Sequence, residues 1–491
     1  MGKQLPEELR YQLLVFDYKK ANKARKLWKK RKGDKDKEAH KKFCYGLGAK
    51  LDVSPKVVSF IVKNNKWADQ KPAEHVKSLP TGLQEYDKPS LKPEALVRGR
   101  ELYISPKNWR RLNEHYTKGK IKKAIVRAVR KLDLPAPVQP ISQEQADDSF
   151  RALKKLRSDS MIKRMPTCTR WDYKYGISDV VIDAPRTGNE CSNFYHQESR
   201  WWCDYQSIPS PMKVWNSDLH MYSMMNALWT LKFKKITGPE LRTAISVRKY
   251  VASQFKPSAA KAFYELFDCK HVYDPSSGWG DRLAGFMAAK CTKSYCSTDP
   301  NSRLYDDYEL QKNRYGGKKE INMYCHGSEI KGGVRKMYGH RVDTVFTSPP
   351  YFNAERYSED EGQSFRQFDE ISAWRENFLF PSLKNAWNAL TSEGERGGIL
   401  AINISDIYNS SDKTRGEICD PMNDYISSLK GARYIGCIGL RLAKRPESGA
   451  LEGKQGASIE PIWVWAKGGS WELDDYIDNG FKTKKVKGLW G

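Results

Sequence analysis

The sequence predicts an α/β fold behind a mainly helical, basic N-terminal region, and three observations predict it. From residue 241 onward, short β-branched or aromatic runs alternate with helical stretches. One run, His271-Val272-Tyr273, passes through Asp274-Pro275-Ser276-Ser277-Gly278-Trp279-Gly280 into a helical pattern over 281–289. Another, Val342 to Phe346, stops on Ser348-Pro349-Pro350-Tyr351. Both endings place loops at the carboxyl ends of strands, the edge at which open α/β sheets bind ligands.

The chain has 491 residues, 39% of them hydrophobic, enough for two to four domains and a large core. No apolar run approaches a membrane span, the first residues lack the apolar stretch of a secretion signal, and Pro6 breaks the myristoylation pattern. Ten cysteines without a CxxC pair point to reduced thiols and a cytoplasmic protein. The formal charge is +26, and residues 1–135 carry 35 Lys or Arg against 15 Asp or Glu. That concentration of positive charge predicts a polyanionic partner, nucleic acid first.

Residues 1–68 read as a basic helical domain. A helix is expected over 7–32 and another over 39–51, followed by a turn at Asp52-Val53-Ser54 and a second helix from Pro55. The latter pair is similar to a helix-turn-helix, which would turn Lys56, Ser59, Lys63 and Asn64 toward a DNA groove; a plain helical packing module has the same pattern. Residues 69–97, with four prolines, read as a linker. A second basic helical block spans 98–140, with Ser105 and Pro106 opening a helix to His115 and a basic amphipathic pattern over 118–132. Residues 150–240 are dense in aromatics, among them Trp171, Tyr173, Trp201, Trp202 and Trp215. Such side chains either stack on unpaired bases or build core, and core is the commoner use. Cys191, His196, Cys203 and His220 match no common zinc spacing, so no metal is expected. The catalytic domain is expected over 241–468, with a tail at 469–491.

In that domain, strand, glycine turn and helix in succession let backbone approach a ligand at a helix N-terminus. The next strand, Tyr295 to Thr298, ends on Asp299, an acid placed to accept from ribose hydroxyls. A dinucleotide site carries a third glycine; here that place holds Leu283, which favours a nucleoside cofactor without pyrophosphate. The two prolines after strand Val342–Phe346 stiffen a loop that offers a hydroxyl (Ser348), a carbonyl (Pro349) and an aromatic face (Tyr351). A planar base with an exocyclic amine would find two acceptors and a stacking surface there. A structural Pro-Pro turn is the alternative for that motif alone. Further strands are expected at Ile321–Cys325 and Ile399–Ile404, with a closing hairpin from 434–438 and 462–465. The polar stretches 352–369 and 443–460, the second with Lys444 and Arg445, are candidates for lids or DNA contacts.

Asp274-Pro-Ser-Ser-Gly-Trp-Gly280 and Thr347-Ser-Pro-Pro-Tyr351 resemble the cofactor motif (D-P-x-x-G-x-G) and catalytic motif ([DNS]-P-P-[YFW]) of DNA amino-methyltransferases. Lys256-Pro257 resembles that family's K-P segment beside the methionine end of the cofactor. The resemblance covers about residues 240–468. It implies a Rossmann-like methyltransferase domain and S-adenosyl-L-methionine as cofactor. It implies Asp274, Ser276, Gly278, Gly280, Asp299, Ser328 and Lys256 as the cofactor site, and catalysis by Ser348, Pro349, Pro350 and Tyr351 on a base flipped out of DNA. Serine at the head of the catalytic motif favours N4 of cytosine over N6 of adenine. The cofactor motif precedes the catalytic motif here, an order that many N4-cytosine enzymes reverse. The same loop serves RNA amino-methyltransferases, and a non-catalytic nucleic-acid binder could keep the fold. A C5-cytosine enzyme would need a nucleophilic cysteine, usually after proline, and no cysteine here follows one.

Overall fold

The computed structural model describes residues 37–51, 55–56, 59, 89–248, 251–393, 396–408, 414–442 and 455–478. These belong to two compact units, one formed by residues up to 139 together with 213–248, the other by 140–212 together with 249–491.

In the first unit, helix Lys37–Leu51 matches the expected 39–51 and buries Cys44 and Leu47. Helix α1 (Pro106–His115) starts where Ser105 accepts from the Asn108 amide, with Pro106 in the first turn where its missing N–H costs nothing. Helix α2 (Lys118–Lys131) buries Ile121, Ala124, Ile125, Ala128 and Val129. Residues 213–248 complete this unit. Trp215 donates to the Leu134 carbonyl, Ile104 and Ile236 exchange backbone bonds, and Trp109 packs on Trp229 with ring centroids 5.1 Å apart. The sequence boundary at 241 therefore falls inside helix Gly238–Arg248. Within the expected 69–97 linker, the described part holds a short 3-10 turn at Pro93–Leu96 and the start of a two-stranded ribbon.

The second unit is α/β and Rossmann-like. Its sheet strands are β1 (Ile162–Arg164), β2 (Thr167–Cys168), β3 (Val180–Ile182), β4 (His271–Asp274), β5 (Ser294–Thr298), β6 (Glu320–Tyr324), β7 (Thr344–Thr347), β8 (Gly398–Asn403), β9 (Ala432–Arg441) and β10 (Ala457–Lys467). The order is β1-β3-β9-β10-β8-β7-β4-β5-β6, with β2 on β10. Strands β8, β7, β4, β5 and β6 run parallel, while β10 is antiparallel to both β8 and β9. The β-branched and aromatic composition follows from that placement: every residue of β7 and β8 is buried, because helices cover both faces. The chain builds β4, β5 and β6 outward in one direction and then returns to place β7 and β8 on the other side of β4. That reversal opens a crevice between the carboxyl ends of β4 and β7.

The aromatic-rich stretch serves partly as core, while Trp171, Trp202, Tyr205 and Trp229 are half-buried and Phe194 is exposed. Tyr195, Trp201 and Trp215 are buried, and Tyr173 packs edge-on against Trp463 of β10 at 5.1 Å. Helix α3 (Asn189–Trp201) from this stretch lies beside helix α4 (Pro257–Leu266), helix α5 (Asp281–Ala288) and helix α6 (Tyr305–Tyr315) in the second unit's core.

Candidate active site at the sheet switch point

Strand β4 delivers Asp274 to the crevice, fully buried. Both of its oxygens are engaged: Arg282 of α5 donates at 2.8 and 3.2 Å, and the Tyr295 hydroxyl at 2.8 Å. A buried carboxylate needs such partners. Asp274 thus organises the turn from below and offers no free oxygen to a ligand.

Above it, Gly278 and Gly280 have φ of +60° and +68°, which only glycine adopts without strain. The turn is clamped on every side. The Gly278 amide donates to Asp299 at 3.0 Å, the Tyr308 hydroxyl to the Gly278 carbonyl, and the Gln311 amide to the Gly280 carbonyl at 3.1 Å. Behind Gly280, buried His196 pairs with Gln311 at 3.0 Å. A Cβ on Gly280 would come within 2.4 Å of Gln311 and 2.5 Å of His196. The second glycine is therefore required by protein behind the turn, where the sequence alone suggested close approach of a ligand. At Gly278 a Cβ would meet nothing nearer than 3.9 Å.

Asp299 ends β5, as expected. Its second oxygen accepts from the Asn301 amide at 2.9 Å, and burial pushes its carboxyl up to about 6. Each oxygen keeps a lone pair for a ligand hydroxyl. Asp281, which sequence reading passed over, opens α5. It accepts from Ser192 and from Gln254 at 2.8 Å, one of its oxygens has no partner, and burial lifts its carboxyl to about 6 as well.

On the other wall, β7 ends at Thr347, whose buried hydroxyl has no partner. Pro349 is buried, while Ser348, Pro350 and Tyr351 are half-buried. No hydrogen bond engages the Ser348 hydroxyl among the described residues. The Tyr351 hydroxyl donates to Glu460 of β10 at 2.5 Å, and burial raises its pKa. Phe352 follows with φ of +48°, a strained conformation for a bulky side chain, held by burial beside Trp374. Ser276, Ser328, Thr347 and Pro349 line one small cavity, closed by Phe378 and Leu379 from the π-helical turn Arg375–Leu379. The Ser328 hydroxyl donates to Ser382 at 2.9 Å in helix α7 (Phe380–Ala389). Local π-turns of this kind recur at functional sites.

Other expected residues stand apart. Lys256 donates to the Ala184 carbonyl at 2.7 Å, does not line the cavity, and is lowered in pKa by burial. Lys56 is exposed and Ser59 half-buried, both in helical conformation; Lys63, Asn64, Lys444 and Arg445 lie outside the described residues. The stretch after the Ser348–Tyr351 loop is tied down at several points. Glu355 and Arg356 pair with Tyr205 and Asp204, and Asp360 accepts from the Ser302 amide at 3.0 Å. Among the described residues, no group of three or more His, Cys, Asp or Glu is placed to hold a metal, and no helix is long and apolar enough to cross a membrane.

No protein-family model and no curated protein matches the chain. Solved structures to which it is similar include TrmN from Thermus thermophilus, at 14% identity and a TM-score of 0.28 over 44% of this chain and 51% of that one. An rRNA methylase from Streptococcus thermophilus aligns at 13% identity and 0.26 over 44% of this chain and 99% of that one. The O-methyltransferase TomG from Streptomyces achromogenes aligns at 8% and 0.28 over 46% and 85%. The chain spans about half the length of TrmN. The fold is assigned from the strand order and register described above.

Proposed function

We propose that this chain is an S-adenosyl-L-methionine-dependent methyltransferase acting on an exocyclic amine of a DNA base, N4 of cytosine ahead of N6 of adenine. The observation that carries the reading is the placement of Ser348-Pro349-Pro350-Tyr351 at the end of β7, across the switch-point crevice from the glycine turn at the end of β4. The residues present fit the cofactor. Asp299, with a lone pair left on each oxygen, is placed at the end of β5 to accept from ribose hydroxyls, and Ser276, Ser328, Thr347 and Pro349 line a small cavity at the same sheet edge.

S-adenosyl-L-methionine supplies an electrophilic methyl group on a sulfonium. The rest falls to the chain's own residues. A base amine is a poor nucleophile because its lone pair is delocalised into the ring. Two acceptors, Ser348 Oγ and the Pro349 carbonyl, draw its N–H groups into pyramidal geometry and free the lone pair for in-line attack. With the cofactor bound, the methyl would pass to the nitrogen as its bond to sulfur is given up, and the amine would then release one proton to solvent. Positioning supplies most of the acceleration in such a displacement. Tyr351, fixed through Glu460, presents a ring to a base that has left the duplex. The test is transfer of tritiated methyl from the cofactor to duplex DNA against RNA of the same sequence, followed by identification of the methylated nucleoside. Transfer to RNA alone would replace DNA with RNA in this reading.

A further inference from the structure

Residues 98–131 carry twelve Lys or Arg against two Glu. Helix α2 concentrates this imbalance and contains no acid in its fourteen residues. Its apolar side is buried. On its other side Lys120, Lys123, Arg127, Arg130 and Lys131 are all exposed, and at about 100° per residue they fall on a single stripe. From Lys120 to Lys131 that stripe runs about 16 Å at 1.5 Å per residue. Two charges at its end are matched, Arg130 with Asp218 at 2.7 Å and Lys131 with Glu94 at 3.1 Å. Lys122 is buried, where it donates to Asn226 and lies 3.6 Å over the Tyr222 ring. Lys123 and Arg127 have no partner among the described residues.

This is not how a merely solvated helix is built. A stable solvent face interleaves acids four residues before bases, whereas like charges at that spacing destabilise the helix. Here Lys123 and Arg127 repel at i,i+4, Arg127 and Lys131 repeat the spacing, and Lys118 and Lys120 sit in the first turn, where the helix dipole disfavours cations. A row of anions along the stripe would relieve all of these repulsions together. We infer that the outer face of α2 is a phosphate-tracking ridge that holds duplex DNA through its backbone without reading bases. The inference shares the nucleic-acid reading above but none of its chemistry.

Lysine and arginine contacts to phosphates release counterions, so log affinity falls with log salt by about 0.9 per phosphate neutralised. The experiment compares the full chain with Lys123→Gln/Arg127→Gln on a fluorescein-labelled 30-base-pair duplex, titrated by anisotropy across sodium chloride concentrations. The double variant should lower the magnitude of the slope by about two, each single variant by about one, and weaken binding at least tenfold at low salt. Its helical melting should be unchanged or higher, since repulsion is removed, and Lys123→Arg should keep the wild-type slope. An unchanged slope in both single variants and the folded double variant overturns the inference. So does wild-type binding of poly-glutamate as tight as that of the duplex, because the ridge would then serve an acidic protein. If the wild type transfers no methyl group yet the double variant flattens the slope, the ridge stands and the catalytic reading falls.

Discussion

The two loops that face each other across the crevice are built on opposite plans. The turn after β4 is over-determined: Asp274, through the Ser276 amide, together with Asp299, Tyr308 and Gln311 holds its backbone, and His196 backs it from α3. Among the described residues, the hydrogen bonds that hold the loop after β7 lie at its far end, Tyr351 to Glu460 and the Ala354 amide to the Tyr351 carbonyl at 2.9 Å. The hydroxyl at its head, Ser348, makes no hydrogen bond among the described residues, and strain is kept at Phe352. A rigid cradle suits a cofactor that binds in one pose. An unsatisfied acceptor suits a group whose hydrogen bond is made only as the reaction proceeds, where it lowers the barrier rather than the ground state.

The contrast predicts that the two loops fail differently. The largest effect should come from Gly280→Val. A left-handed φ combined with collision against His196 and Gln311 should cost roughly 2–5 kcal/mol of stability, read as a lower unfolding midpoint. If Gly280→Val were as stable as the wild type, the turn would not be clamped as described. Next comes Asp299→Ala, which removes a charged acceptor and should weaken cofactor binding by about 1.5–3 kcal/mol in calorimetry. The same residue sets a pH dependence. Its carboxyl is raised to about 6 in the fold from an ordinary value near 4, so ionising it costs stability, which falls as pH rises between those values. Asp281 adds a slope of the same sign. Cofactor affinity should move the opposite way, tightening as pH rises through about 6, because ribose hydroxyls favour the ionised form. Asp299→Asn should flatten that profile, and a profile unaltered by the change would place the ribose elsewhere.

On the other loop, Tyr351→Ala should weaken capture of the target base by about 1–3 kcal/mol, with cofactor affinity and stability nearly unchanged. A mismatch opposite the target should partly restore it, since unpairing is then easier. Glu460→Ala should have the smallest effect, about 0.5–1.5 kcal/mol, by freeing the Tyr351 hydroxyl. In a Tyr351→Phe background that effect should vanish, because the bond it removes is already gone. Equal losses in both backgrounds would separate Glu460 from the loop.

Much of this frame was legible in the sequence because it is written locally. Pro-Pro after a β-branched run and Gly-x-Gly before a helical pattern state where strands stop, and the observed strands β4 to β8 lie within two residues of the expected ones. What was not legible is carried by long-range pairs. His196 meets Gln311 across 115 residues, Tyr351 meets Glu460 across 109, and residues 213–248 join a unit whose other part ends at 139. No periodicity or spacing encodes such pairs. Arg282 was closer to hand: a buried Asp274 requires a cation, and Arg282, the second residue of α5, lies only eight residues along the sequence.

Ser348 is the residue on which methyl transfer should depend most. Single-turnover transfer of tritiated methyl to duplex DNA should be compared between wild type and Ser348→Ala, with cofactor and DNA affinities measured alongside. The wild type should transfer methyl, and the variant should be slower by roughly 10- to 150-fold, the rate equivalent of about 1.5–3 kcal/mol, at unchanged affinities. A wild-type chain that methylates neither DNA nor RNA, or a Ser348→Ala variant that transfers methyl at the wild-type rate, would contradict this.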